Sequence, residues 1–236
     1  MQVEPSSVEG LELIGPGAAE FKEGLTLLLG RDPDAVLKPA LPYSVIARNN
    51  SARAVALLGV RFDMVGAHAK KYSVVHYADT LRYPENVSLT PGAIRFICAE
   101  PLYTNLVLRR EHQVDRRGPM NLENLRRVLR ITASIDCVAF DDGQFAGPDT
   151  LGAFDRFETE RQAEIAFVEE VLSPHCDVEA VLKRNMELPA AQVRDRGLLA
   201  RRVLAKRLHE GLASGGIEVV AALARNHRLR IQLRRI

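Results

Sequence analysis

The run Ser173-Pro174-His175-Cys176-Asp177-Val178 sets a thiol between an imidazole and a carboxylate. Those are the groups from which a cysteine nucleophile, its base and an orienting acid are made. Chain neighbours point in different directions, however, and working triads draw their members from separated segments. The stretch therefore reads as an interhelical loop, with Asp177 as a helix cap and Cys176 as a small, partly buried side chain. His68, His76, His112, His209 and His227 have no metal-ligand spacing, and His76 reads as a hydrogen-bonded residue on a strand. Cys98, Cys137 and Cys176 are far apart and form no C-x-x-C pair, which argues against a disulfide framework and a structural zinc site. The sequence also contains no G-x-S-x-G, H-E-x-x-H, phosphate-cradling or dinucleotide-binding motif.

A second grouping is "FDDGQFAGPDT", Phe140 to Thr150, in which Asp141, Asp142 and Asp149 could offer oxygen ligands. A helix–loop–helix calcium loop needs such ligands at its first, third, fifth and twelfth positions around a glycine at the sixth. Anchoring Gly143 there puts Val138 first and Phe140 third, so two early ligands are apolar and the pattern fails. The aspartates are better explained by backbone geometry. Asp142-Gly143 is a favoured tight-turn pair after a strand, Gly147-Pro148 closes the return, and Asp149 or Thr150 is expected to cap a following helix. No metal or other cofactor is expected.

The third grouping is arginine. Residues 194–236 carry 11 basic and 3 acidic side chains, although the whole chain has a net charge of only +2. The positions singled out for an anion or a protein partner are Arg201, Arg202, Arg228, Arg230, Arg234 and Arg235. Arginine forms bidentate bonds to phosphate, so a folded cluster would suit an anion or a nucleic-acid backbone. From Arg194 onward there is no Phe, Tyr or Trp to stack on a base. A solvated helix face, or pairs with the acidic helix around Glu158–Glu170, is the plainer reading.

The elements that must position these groups change character along the chain. "FKEGLTLLLG" suits a strand or a short helix. Tyr43–Arg48 and Arg53–Met64 read as strands separated by Asn49-Asn50-Ser51, a hairpin signal, and the second, apolar on both parities, suits a strand covered on both faces or bent by Gly59. "KKYSVVHYAD", Ala93–Cys98 after the Thr90-Pro91-Gly92 turn, "LYTNLVLRRE" and "RRVLRITASIDCVAF" are further strands. In the last, Leu129, Ile131, Ala133, Ile135 and Cys137 take the apolar parity. "HQVDRRGPMNLEN" between them reads as a surface loop. After Asp149 the period becomes helical, with Phe154, Phe157, Ile165, Val168 and Leu172 on one stripe. A short helix follows Asp177 and stops at Pro189. A longer one spans about Ala190–Ala213, carries Val193, Leu204, Leu208 and Leu212, and closes at Ser214-Gly215-Gly216. The tail "RLRIQLRRI" alternates like a strand, but the helix-forming lead-in "IEVVAALARNH" favours a helix.

The expected fold is α+β: an antiparallel β-sandwich over residues 1–147, with a less defined extension over 1–35, then a helical region over 148–236. The order of strand, D-G-x-F-x-G-P-D and a Phe- and Glu-rich helix, preceded by the Asn-Asn-Ser turn and Leu-Thr-Pro-Gly, resembles uncharacterised bacterial proteins with an immunoglobulin-like front half. The resemblance covers about residues 40–172 and implies a fold, with no activity or catalytic residues attached.

The first residues have no basic segment followed by an apolar core, and no run approaches the roughly 20 apolar residues of a membrane helix. A cytoplasmic setting is expected, or a periplasmic or exported one had a leader been removed. "NNS" at Asn49 and "NVS" at Asn86 match a glycosylation pattern that carries meaning only on secretion. The expected function is non-enzymatic: a protein-binding or self-associating module using sandwich edges and amphipathic helices. The alternatives are a hydrolase or transferase assembled from separated loops with His112, His175 or Cys176, and an anion- or nucleic-acid-binding accessory protein.

Overall fold

The computed structural model describes residues 1–33, 35–80, 88–107, 122–187, 195–228 and 233–235. Its contacts divide the chain into two compact units, Met1–Asp149 with Arg234–Ile236, and Thr150–Leu233. Strands dominate the first and helices form the second. None of the described helices is long and apolar enough to cross a membrane.

The strand-rich unit holds β1 (Gln2–Val3), β2 (Leu11–Ile14), α1 (Ala19–Leu29), β3 (Ser44–Asn49), β4 (Val55–Gly66), β5 (Lys71–Asp79), β6 (Ile94–Cys98), α2 (Pro101–Val107), α3 (Leu122–Arg126), β7 (Val128–Phe140) and β8 (Gln144–Ala146). Three strands form a small antiparallel sheet in the order β2-β3-β6. The larger sheet runs β5-β4-β7-β8, with β1 paired in parallel to the first half of β7. A last strand, Arg234–Arg235, lies parallel to β8 at register Gln144↔Arg234 and Phe145↔Arg235.

Two apolar layers hold this unit. Leu13, Val45 and Ile97 of the small sheet share one cluster with Leu58, Val60, Phe62, Ile135 and Val138 of the large one. On the other face of the small sheet, Ile46, Phe96 and Cys98 pack with Phe21 and Leu25 of α1. The spacing of Phe21, Leu25 and the partly buried Leu28 and Leu29 is helical, and it settles "FKEGLTLLLG" as a helix ended by Gly30.

Several expectations are corrected here. The Asn49-Asn50-Ser51 turn does not join a hairpin, because β3 and β4 lie in different sheets. Buried Asn49 donates to the Arg53 and Leu89 carbonyls (2.7 and 2.8 Å) and redirects the chain from one sheet to the other. The first part of "LYTNLVLRRE" is α2 rather than a strand. Pro101 starts it where a missing N–H costs nothing, and Tyr103 and Val107 reach the apolar layer one helical turn apart. Of the expected surface loop, residues 112–121 lie outside the described residues and Leu122 onward is α3. In β7 the alternation of Ile131, Ala133 and Ile135 is observed, but Leu129 is 77% exposed and everything from Ile135 to Phe140 is buried.

The helical unit contains α4 (Ala153–Val171), α5 (Val178–Met186) and α6 (Arg196–Arg228). Phe167, Val168, Val171, Leu182, Leu204 and Leu208 form its core. The buried stripe of α4 also includes Glu160 and Glu164, whereas Phe154 and Ile165 are only half-buried. Asp177 caps α5 by accepting from the Ala180 N–H (3.1 Å). Asp195 accepts from the Gly197 and Leu198 N–H groups (2.7 and 3.1 Å) at the start of α6, and Pro189 and Val193 lie outside the described residues.

Helix α6 breaks at Gly215-Gly216, as the Ser-Gly-Gly signal suggests, and Gly216 adopts φ 71° and ψ −167°. A straight helix would separate residues 211 and 223 by about 18 Å. Instead, a Cβ on Gly211 would lie 2.7 Å from Leu223 Cδ1, so the second segment doubles back on the first. The backbone of Gly216 is in a region reserved almost wholly for glycine. Gly216→Ala is therefore expected to lower stability by about 1–3 kcal/mol, read as a reduced urea midpoint of the helical signal, with Gly17→Ala, in open space, as the neutral comparison.

Candidate functional site

The β4–β7 register places Gly59 opposite Cys137 and Val60 opposite Ile135, which leaves Asp136 as an extra residue on β7. Such a bulge bends the strand and redirects side chains. Asp136 is 1% exposed as a result. Cys137 lies over Gly59 so closely that a Cβ there would be 2.6 Å from its Sγ.

The chain then turns through Asp141-Asp142-Gly143. The Gly143 N–H reaches the Phe140 carbonyl (3.0 Å), and the Asp142 carboxylate accepts from the Gln144 N–H (2.9 Å). This is the three-residue hairpin loop with a left-handed glycine at its end. After β8, Gly147 and Asp149 return to the bulge, where the Asp149 N–H donates to the Asp136 carbonyl (2.8 Å).

The N-cap position of α4 is Gly152, three residues after Asp149 and two after Thr150. Asp149 has φ 52° and a side chain with no exposed surface. Its Oδ2 accepts from Arg235 Nη2 at 2.6 Å. The expectation of a helical tail is thus overturned at Arg234–Arg235. The Arg234 N–H donates to the Gly143 carbonyl (2.6 Å) and its guanidinium to the Asp142 carbonyl (3.3 Å). Together these groups make a seat for an extended dibasic segment: a strand edge for the backbone and a buried carboxylate for one guanidinium.

Asp136, Cys137 and Asp149 are the one group of metal-ligand residue types that converges among the described residues, with ligand atoms within 4.8 Å of one another. They are one ligand short of a closed tetrahedral set. The Arg235 guanidinium already supplies positive charge to Asp149, so the ion pair accounts for the burial of that carboxylate. Asp141 and Asp142, the other two candidates, are exposed at the hairpin tip, where Asp142 pairs with Arg53 (3.3 Å).

The six arginines fall into separate settings. Arg201 donates to Glu170 (2.5 Å), which also holds Arg184 (2.5 Å), and it lies over the Phe167 ring with 5.3 Å to the centroid. That is the pairing with the acidic helix read from the sequence. Arg202 is half-buried on the same helix, and its Nε makes no hydrogen bond. Arg228 ends α6, Arg230 lies outside the described residues, and Arg234 and Arg235 form the added strand.

Cys98 and Cys176 are each shifted away from the thiolate that nucleophilic chemistry needs, and His76 away from the basicity that proton abstraction needs. Burial pushes Cys98 up to about 11. Cys176 is also raised, by burial and then by the negative charges of Glu170 and Asp177, the reverse of an activated thiolate. His175 beside it is exposed, and His112 lies outside the described residues. His76 sits on the inter-sheet face of β5, edge-on to Phe62 with ring centroids 5.5 Å apart. Burial lowers it to about 4 against the opposing hydrogen bond with the Ala99 backbone, and its Nε2 makes no hydrogen bond.

Comparison with protein-family models, curated proteins and solved structures found no match to this chain.

Proposed function

We propose that this is a non-enzymatic protein-binding and assembly module that takes an extended basic segment as an added strand on the β8 edge. The observation that supports it most is the seated Arg234–Arg235 segment. Its main chain joins the sheet through the Gly143 carbonyl, and Arg235 reaches a carboxylate with no exposed surface. Strand addition draws affinity from main-chain bonds and specificity from the side-chain pocket beside them. The front half belongs to the same reading as an immunoglobulin-like sandwich, supported by two sheets sharing one apolar layer.

The test uses the full chain carrying Arg234→Pro, which removes the N–H that donates to the Gly143 carbonyl, and Arg235→Ala, so that its own segment leaves the edge, and a labelled peptide of residues 228–236. The peptide is expected to bind by fluorescence anisotropy. The same peptide with alanine at the position of Arg235 should bind at least about tenfold more weakly, because one partner of a charge-assisted bond is lost. Adding Asp149→Asn to the receptor should weaken the unmodified peptide to a similar extent. No binding, or equal binding of both peptides, overturns the proposal.

A further inference from the structure

We infer that the segment seated on β8 is exchanged between two copies of this chain, so that Arg235 of one copy pairs with Asp149 of the other. This rests on the strand-addition reading and names its partner as a second copy. Three observations carry it. The segment Arg234–Ile236 belongs by its contacts to the strand-rich unit, yet it is joined in sequence to the last residue of the helical unit, Leu233. A chain that leaves one compact unit to complete another is the connectivity from which strand exchange starts, since an identical element from a second copy makes the same bonds.

The closure is also small. Among the described residues the strand pairs at two positions, and its side-chain bonds include the Arg235–Asp149 ion pair and the contact of Arg234 with the Asp142 carbonyl. Short elements held by few bonds open far more often than the whole fold. Finally, the seat strongly favours being refilled. With the segment in place the Asp149 carboxylate has no exposed surface, and opening the seat breaks its 2.6 Å charge-assisted bond with Arg235. Whichever copy supplies the segment restores the same contacts, and the balance between closure within one chain and exchange between two is set by effective concentration. Exchange therefore rises with protein concentration, whereas closure within a chain does not.

The paired positions Gln144 and Arg234 allow a direct test. Full chains carry Cys176→Ser to remove the partly exposed thiol; Cys98 and Cys137 are buried. One chain adds Gln144→Cys and another adds Arg234→Cys. The two are unfolded together, refolded together at high concentration and then oxidised. The expected product is a covalent dimer of two different chains, in a yield that falls on dilution. A chain bearing both substitutions, refolded at high dilution, should close a disulfide within itself. If that control closes and the mixture gives no mixed dimer, exchange is overturned, while peptide binding still supports strand addition. If the control does not close, the β8 pairing is wrong and both readings fall.

Discussion

Gly147→Ala lowers the stability of the strand-rich unit by about 2–6 kcal/mol, the sum of two penalties that act independently. Gly147 has φ 109°, where an L-residue is strained by about 1–3 kcal/mol. A Cβ there would also lie 2.7 Å from the Asp136 carbonyl oxygen and 3.0 Å from the Cys137 Cα. These are backbone atoms of a central strand, which cannot step aside as a flexible side chain can. Overpacking of this kind costs about 1–3 kcal/mol more. Gly92→Ala separates the two effects. Gly92 has φ 76° with nothing within 4 Å of where a Cβ would stand, and the substitution should cost only about 1–2 kcal/mol. The measurement is the urea midpoint of each variant. Equal midpoints for the two would show that the approach to Asp136 is loose. The same substitution at Gly147 should weaken peptide binding to the β8 edge, since Gly147 guides Asp149 back to the bulge and so sets where its carboxylate meets Arg235.

The parts of this site that depend on neighbours in the chain can be read from the sequence, and the parts that depend on distance cannot. Asp142-Gly143 announces a hairpin, because only a few residue pairs satisfy that backbone. Asp177 announces a cap for the same local reason, and Gly215-Gly216 announces the break in α6. Asp136, by contrast, sits on the polar parity of an alternating strand and gives no sign that a bulge buries it. The register of β4 against β7 decides that, and Gly59 is the only local trace. Asp149 follows a Gly-Pro pair and precedes a helix, so a cap is its natural reading. Its actual partner, Arg235, is 86 residues away. The tail shows a similar conflict. Its alternation of arginine with leucine and isoleucine is strand-like, while the residues before it form helix readily. Both signals hold in different places, as helix through Arg228 and strand at Arg234–Arg235. Glu160 and Glu164 are unreadable as buried positions, because carboxylates on a helix normally mark its wet face.

Acid is expected to destabilise the strand-rich unit through His76. The imidazole is held at about 4 in the folded chain, below the ordinary value of 6.5, because burial between the sheets disfavours the charged ring. A base whose folded value is depressed takes up its proton more readily when unfolded. Its contribution is therefore fully present above pH 6.5, is lost as the pH falls toward 4, and is gone below that. At about 1.36 kcal/mol per unit, the loss over this window is on the order of 3 kcal/mol. Glu158, on α4 of the helical unit, works in the same direction at lower pH, since the Arg161 hydrogen bond holds it below the usual carboxylate value. The comparison with His76→Phe isolates the histidine's share in the strand-rich unit. Urea unfolding of both proteins between pH 7 and pH 4 should show a markedly shallower decline for the variant. Nuclear magnetic resonance of the His76 ring gives the independent check, with titration expected only below about pH 5. A ring that titrates near 6.5 would mean that water reaches the layer between the sheets. The edge strand β5, which carries this residue opposite Val60 of β4, would then be only loosely held.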